Sequence, residues 1–84
     1  MTIEIYGRPG CGQCEQAKLK LFREGKVSQM PEKFAYDYLM IDDHQEELEQ
    51  KFNTKFRTLP VIVHEGQLYN FNTLGELIAK IKSS

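Results

Sequence analysis

The sequence predicts an α/β fold of order β-α-β-α-β-β-α, a four-stranded mixed sheet flanked by helices, formed as a single domain over residues 1–84. Three observations carry this reading. A short alternating segment, Ile3 and Ile5 between Thr2, Glu4 and Tyr6, runs into a glycine-rich turn holding both cysteines, Cys11 and Cys14. A second segment of strand character, residues 34–41, follows one helix later, so the two strands pair in parallel through a right-handed crossover. The last third reads as two short strands about a Glu65-Gly66 turn, which make an antiparallel hairpin, and then a periodic helix.

The elements follow in order. The first strand delivers the chain to Gly7, and the helix after the cysteines is expected over residues 12–24. Cys14, Ala17 and Leu21 form its inner stripe, widened by Leu19 and Phe22, with Lys18, Lys20 and Arg23 toward water. Gly25 is its expected stop, behind basic residues that suit the end of the helix dipole. Residues 27–33 form a loop around Met30-Pro31. Residues 34–41 carry aromatic and apolar side chains on both parities, as a strand covered on both faces does. Asp43 is the expected cap of a second helix, with Glu46 completing a capping box and Leu48 and Phe52 facing inward. A basic loop over 53–57 leads to Thr58-Leu59-Pro60, the strand Val61–His64 and a strand over 67–71. In the closing helix Leu74, Leu77, Ile78 and Ile81 recur at i, i+3, i+4 and i+7 behind a Thr73…Glu76 capping box.

Composition narrows the function classes. The net charge is −1 with both signs interspersed, which argues against a nucleic-acid or membrane surface. Met1-Thr2-Ile3-Glu4-Ile5 has no export-signal pattern, and no apolar run approaches membrane-spanning length. Two cysteines in a cytoplasmic chain point to function rather than to a structural framework, so a cytoplasmic monomer with a reduced resting state is expected.

The chemistry lies in Gly7-Arg8-Pro9-Gly10-Cys11-Gly12-Gln13-Cys14. Thiols at i and i+3 across a helix start have Cα atoms roughly 5 Å apart, within the window of about 4.4–6.8 Å that a disulfide requires. A Cys-x-x-Cys between a strand and a helix, in a chain without an export signal, reads as a thioredoxin-like redox motif. Cys11 falls where the helix begins and its N–H groups are unsatisfied, and Arg8 adds a positive charge. Both favour the thiolate; such sites hold the thiol at about 3.5–7.5 against about 8.5 for free cysteine. Cys11 is therefore the expected nucleophile and Cys14, one turn inside the helix, the resolver. Gly10 and Gly12 leave room for another chain to approach the sulfur, and Gln13 at the tip of the motif is best explained by partner contact.

Two other readings compete. A zinc site could be completed by His44 and His64 or by a second copy, although those histidines are too far apart for a zinc-finger spacing. A purely structural disulfide would close too short a loop to constrain the unfolded state much.

The element order, with Cys11-Gly12-Gln13-Cys14 after the first strand and Thr58-Leu59-Pro60 before the third, resembles the glutaredoxin branch of the thioredoxin fold over essentially the whole chain. The resemblance implies that Pro60 is cis and lies beside the cysteines, and that Leu59 offers its backbone to a bound peptide. Dithiol glutaredoxins hold glutathione with a Gly-Gly-Cys-Asp-Asp-like segment, where this chain has Asn70-Phe71-Asn72-Thr73-Leu74. Gln13 and Phe56-Arg57-Thr58-Leu59-Pro60-Val61-Ile62 are similar instead to the glutaredoxin-like redoxins that serve ribonucleotide reductase. Tyr69-Asn70-Phe71 matches their Trp-Ser-Gly-Phe-Arg-Pro stretch only loosely.

The expectation is a thiol–disulfide oxidoreductase that reduces protein disulfides, ribonucleotide reductase among them, with catalytic Cys11 and Cys14. Arg8, Gly12, Gln13, Arg57, Thr58, Leu59, Pro60, Asn72 and Thr73 are the expected substrate- or glutathione-binding residues. Its only redox group is the Cys11–Cys14 disulfide, with no metal or bound cofactor, and either glutathione or thioredoxin reductase recharges it. Asn72 and Thr73 would offer a helix start to a glutathione carboxylate, Arg8 or Arg57 the charge at its other end, while Phe71 is expected to crowd that backbone. A carrier of a metal or iron–sulfur cluster, bound through Cys11 between two copies, is the alternative from another class.

Overall fold

Alternation along β1 (Ile3–Gly7) decides how the layers assemble, because Ile3 and Ile5 point to one face and Tyr6 to the other. The computed structural model describes residues 2–83. After β1 come α1 (Gly12–Val27), β2 (Tyr36–Met40), α2 (Ile41–Phe52), β3 (Val61–His64), β4 (Gln67–Tyr69) and α3 (Leu74–Lys82). The sheet order is β2-β1-β3-β4; β1 and β2 are parallel, and the other two pairings are antiparallel. This is the expected element order and mixed sheet.

Register then sorts the core into two layers. Ile5 lies opposite Ile62, and with Ile3 they meet Ala17 and Leu21 of α1 and Leu74, Leu77, Ile78 and Ile81 of α3. Tyr6 lies opposite Val61, and with Val63 they meet Ile41 and Leu48 of α2. Tyr36 and Tyr38 of β2 pack toward the first layer and Leu39 toward the second, as its two apolar parities require. An ion pair of 2.8 Å between Glu24 and Lys82 ties α1 to α3.

Several local expectations are corrected. Helix α1 does not stop at Gly25 but continues to Val27, capped by Ser28. Gly25 is buried because the returning loop presses on it: a Cβ there would lie 3.2 Å from the Pro31 Cα and 3.5 Å from the Phe34 Cβ. Leu19 and Phe22 do not widen the inner stripe; they are 52% and 57% exposed, because Ala17 and Leu21 already fill the space over the sheet. Helix α2 starts earlier than Asp43, with Met40 as a cap that gives no side-chain hydrogen bond; β2 passes into it directly and Asp42 and Asp43 fall in its first turn. Strand β4 ends at Tyr69 rather than at residue 71, and Tyr69 and Phe71 both pack against the first core layer. The hairpin turn itself forms as read, with Glu65 at φ 50° and Gly66 at φ 75°, the two positive angles of a tight two-residue connection.

Candidate active site

The topology gathers four connections at one end of the sheet. Register places Gly7 opposite Met40, so the cysteine turn and the start of α2 leave the sheet side by side. Because β3 is antiparallel to β1, Pro60 enters at that same end, and β4 leaves there toward α3. Cys11–Cys14, Asp42, Thr58-Leu59-Pro60 and Asn70–Thr73 are thus brought together by strand direction.

Cys11 has β-type backbone angles (φ −83°, ψ 107°) and is the N-cap of α1. Its sulfur accepts the Cys14 backbone N–H at 3.2 Å, the bond a Ser or Asp oxygen usually accepts in that place. The two cysteines form a disulfide, with Cα atoms 5.3 Å apart. They differ sharply in exposure: Cys11 is partly accessible, while Cys14 is fully buried beneath it. Gly10, at φ 81°, makes the turn before Cys11 in a conformation that disfavours a side chain. Gly7 is required for a different reason, since a Cβ there would lie 2.6 Å from the Tyr38 hydroxyl and 2.7 Å from the Cys14 sulfur.

Arg8 stands at the site but is not an unpaired charge beside the thiol. Its Nε and Nη2 donate to one oxygen of Asp42, at 3.1 and 2.9 Å. The two side chains are 51% and 67% exposed, so the pair adds little stability, yet it offsets the positive field that Arg8 alone would give Cys11. The helix start is left as the principal device favouring a Cys11 thiolate.

The remaining residues fall in three places. Gly12 and Gln13 are exposed in the first turn of α1, and a Cβ on Gly12 would meet nothing within 4 Å beyond its chain neighbours and the adjoining helix backbone. Arg57, Thr58 and Pro60 line a cavity of about 280 Å³ that continues to Thr73. Pro60 is buried and its bond to Leu59 is cis, while Leu59 packs toward the second core layer. Asn72 is exposed at the start of α3.

Thr73 is the N-cap of α3, but the expected capping box is replaced by another closure. Asn70 Oδ1 accepts the Thr73 N–H at 3.0 Å, and Thr73 Oγ1 accepts the Asn70 N–H at 2.9 Å. Asn70 and Asp42 were not picked out by sequence reasoning. The Asn70…Thr73 spacing was the available sign of the closure; nothing local marks Asp42, which reaches Arg8 only through the β1–β2 register.

The two histidines do not meet the thiols. His44 lies on α2, its ring edge-on to Tyr6 at 5.4 Å, on the face of the sheet opposite α1. His64 closes β3, so strand direction carries it to the other end of the sheet from Cys11. Among the described residues no group of three or more His, Cys, Asp or Glu side chains is placed to hold a metal ion. No helix among them is long and apolar enough to cross a membrane.

An accessible sulfur capping a helix, disulfide-bonded to a buried one a turn later, on a sheet of this topology with a cis-proline loop at the same end, defines a thiol–disulfide oxidoreductase of thioredoxin-like fold. The chain belongs to the glutaredoxin family, whose model matches residues 3–69. Among solved structures it is similar to NrdH-redoxin of Escherichia coli, a glutaredoxin-like protein with a thioredoxin-like activity profile. The two share 25% identity at a TM-score of 0.59, over 92% of this chain and 95% of that one. No curated protein sequence matches it.

Proposed function

We propose that this oxidoreductase works as a dithiol redoxin with a thioredoxin-like profile, recharged by thioredoxin reductase rather than by glutathione. The Cys11 thiolate attacks a disulfide of a protein partner, forming a mixed disulfide and releasing the partner's other sulfur as a thiolate. Cys14 attacks Cys11 in turn, the partner leaves reduced, and the Cys11–Cys14 bond re-forms. Gly12 and Gln13 on one side, and Arg57, Thr58, the Leu59 backbone, Pro60, Asn72 and Thr73 on the other, form the surface on which the partner strand lies. Ribonucleotide reductase is the partner suggested by the Phe56–Ile62 segment and by the likeness to NrdH-redoxin.

The observation that carries the choice of reductant is the Asn70–Thr73 closure. A carboxylate of glutathione would need free N–H groups at the start of α3. There the Thr73 N–H is already taken by Asn70 Oδ1, which supplies from within the chain the oxygen a carboxylate would bring. Of the two charges expected to meet the other end of the tripeptide, Arg8 is held by Asp42, while Arg57 lines the cavity that continues to Thr73. The Phe71 side chain is partly buried against the first core layer.

The test mixes oxidised protein with NADPH and either thioredoxin reductase, or glutathione with its own reductase, and follows NADPH loss while a protein disulfide is reduced. Turnover is expected with thioredoxin reductase. Turnover through glutathione alone would overturn the reading.

A further inference from the structure

The two-thiol cycle leaves a chemical demand on Cys14. It is fully buried, and whenever its sulfur carries the charge, as leaving group or as attacker, that charge is removed from water. The partly accessible Cys11 has the helix start to meet this demand, whereas the Cys14 sulfur sits deeper, behind it.

Tyr38 lies beside that sulfur. A Cβ on Gly7 would lie 2.6 Å from the Tyr38 hydroxyl and 2.7 Å from the Cys14 sulfur, so the two atoms face each other across that glycine at no more than about 5 Å. In the disulfide state the hydroxyl donates to the backbone carbonyl of Arg8 at 3.3 Å, long for an O–H donor. That carbonyl also accepts the Cys11 N–H at 3.2 Å, so it keeps a partner if the hydroxyl turns away. A hydroxyl hydrogen is free to rotate toward whichever acceptor is stronger, and a thiolate is a stronger acceptor than an amide carbonyl already engaged.

The charged groups near the Tyr38 ring are themselves paired, which leaves the hydroxyl as the donor close to the sulfur. The Lys18 ammonium lies 4.0 Å from the centre of the Tyr38 ring and pairs with Glu15 at 2.8 Å. Lys18 holds its proton more firmly than a free lysine, chiefly through that hydrogen bond to Glu15, with Tyr38 and Tyr36 adding to it. Lys18 is the group that links Glu15 of α1 with Tyr36 and Tyr38 of β2, and the Arg8 guanidinium is engaged with Asp42.

We propose that Tyr38 serves the resolving sulfur: when the Cys11–Cys14 bond is open, its hydroxyl turns from the Arg8 carbonyl to Cys14 and donates a hydrogen bond to the thiolate. This rests on the reading of Cys11 as attacker and Cys14 as resolver. In the working direction the Cys14 thiolate attacks Cys11 of the mixed disulfide. The Cys11–Cys14 bond forms, the bond from Cys11 to the partner breaks, and the electron pair leaves on the partner's thiolate. In recharging, a thiolate of the dithiol reductant bonds to Cys11, the electron pair of the broken disulfide leaves on Cys14, and solvent then protonates it. Tyr38 stabilises the Cys14 charge in both directions and does not touch the first attack by Cys11.

Reaction of the reduced protein with Ellman's reagent separates these steps. A first thionitrobenzoate is released when Cys11 attacks and a second when Cys14 resolves. Tyr38→Phe, with its fold checked by circular dichroism, should leave the first phase within about twofold. It should slow the second about tenfold at pH 7, the scale of one hydrogen bond to a charged group, and move its pH–rate midpoint up by about one unit. A 3-fluorotyrosine at position 38 keeps the shape and strengthens the donor, and should restore the second phase. An unchanged second phase or midpoint overturns the proposal. So does equal slowing of both phases, which would mean that Tyr38 only holds the Arg8 turn. Failure of the underlying thiol assignment shows differently, as a first phase that survives in Cys11→Ser.

Discussion

The sulfur of Cys11 accepts the backbone N–H of Cys14 at 3.2 Å, so the proposed nucleophile also caps the helix that carries its resolver. Charge on Cys11 therefore meets a hydrogen-bond donor and the positive end of the α1 dipole together. Cys14, buried one turn on, has its own N–H as the donor in that bond and no such place at the helix start.

This geometry separates chemistry from capping. Cys11→Ser keeps an oxygen able to cap α1, and should abolish disulfide reduction with little loss of stability in the reduced protein. Cys11→Ala removes the cap as well and should cost about 1 kcal/mol more in urea denaturation. Cys14→Ser should still form mixed disulfides, which accumulate unresolved. Iodoacetamide at neutral pH should label Cys11 well before Cys14. Faster labelling of Cys14 would reverse the roles.

The Arg8–Asp42 pair gives the second prediction. If Asp42 offsets the guanidinium, Arg8→Gln should change the rate of Cys11 alkylation at pH 6 by less than about twofold, as expected for exposed and screened charges. Asp42→Asn frees Arg8 and should raise the rate a few-fold, an effect that salt diminishes. A tenfold loss in Arg8→Gln would show that the positive charge acts on the sulfur despite its partner.

The third concerns stability at high pH. The Tyr6 phenol is pushed up from 10 to about 12, first by burial, then by the charge of Glu4 and the hydrogen bond to it, then by the charge of Glu47. The folded state disfavours the phenolate, so this contribution is complete below pH 10 and is lost as pH rises from 10 through 12. It amounts to roughly 3 kcal/mol at most. Urea unfolding at pH 9 and pH 11 should show a smaller drop for Tyr6→Phe than for the unsubstituted protein. An equal drop in both would place the alkaline sensitivity elsewhere.

Much of this arrangement is written in local pattern. Alternation at Ile3, Ile5 and Tyr6 sets the two faces of the sheet, the i, i+3, i+4, i+7 run of Leu74 to Ile81 sets α3, and the Glu65-Gly66 turn sets the hairpin. The position of Cys11 at a helix start follows from the strand, the glycine turn and the helix around it, because each is specified by residues close in sequence. Single-residue limits were less legible. Gly25 resembles a helix stop, yet it is a packing glycine under Pro31 and Phe34, and only the returning loop reveals that.

Tertiary structure alone decided which side chains reach the site. Arg8 and Asp42 are 34 residues apart, and Tyr38 and Arg8 30 apart; each pair meets because β1 and β2 run parallel in one register. That register depends on both strands burying their faces at once, so no segment read alone contains it. Hence the thiol pair was visible in the sequence, while the neutralised arginine, the tyrosine beside the buried sulfur and the asparagine closing α3 were settled by distances that folding creates.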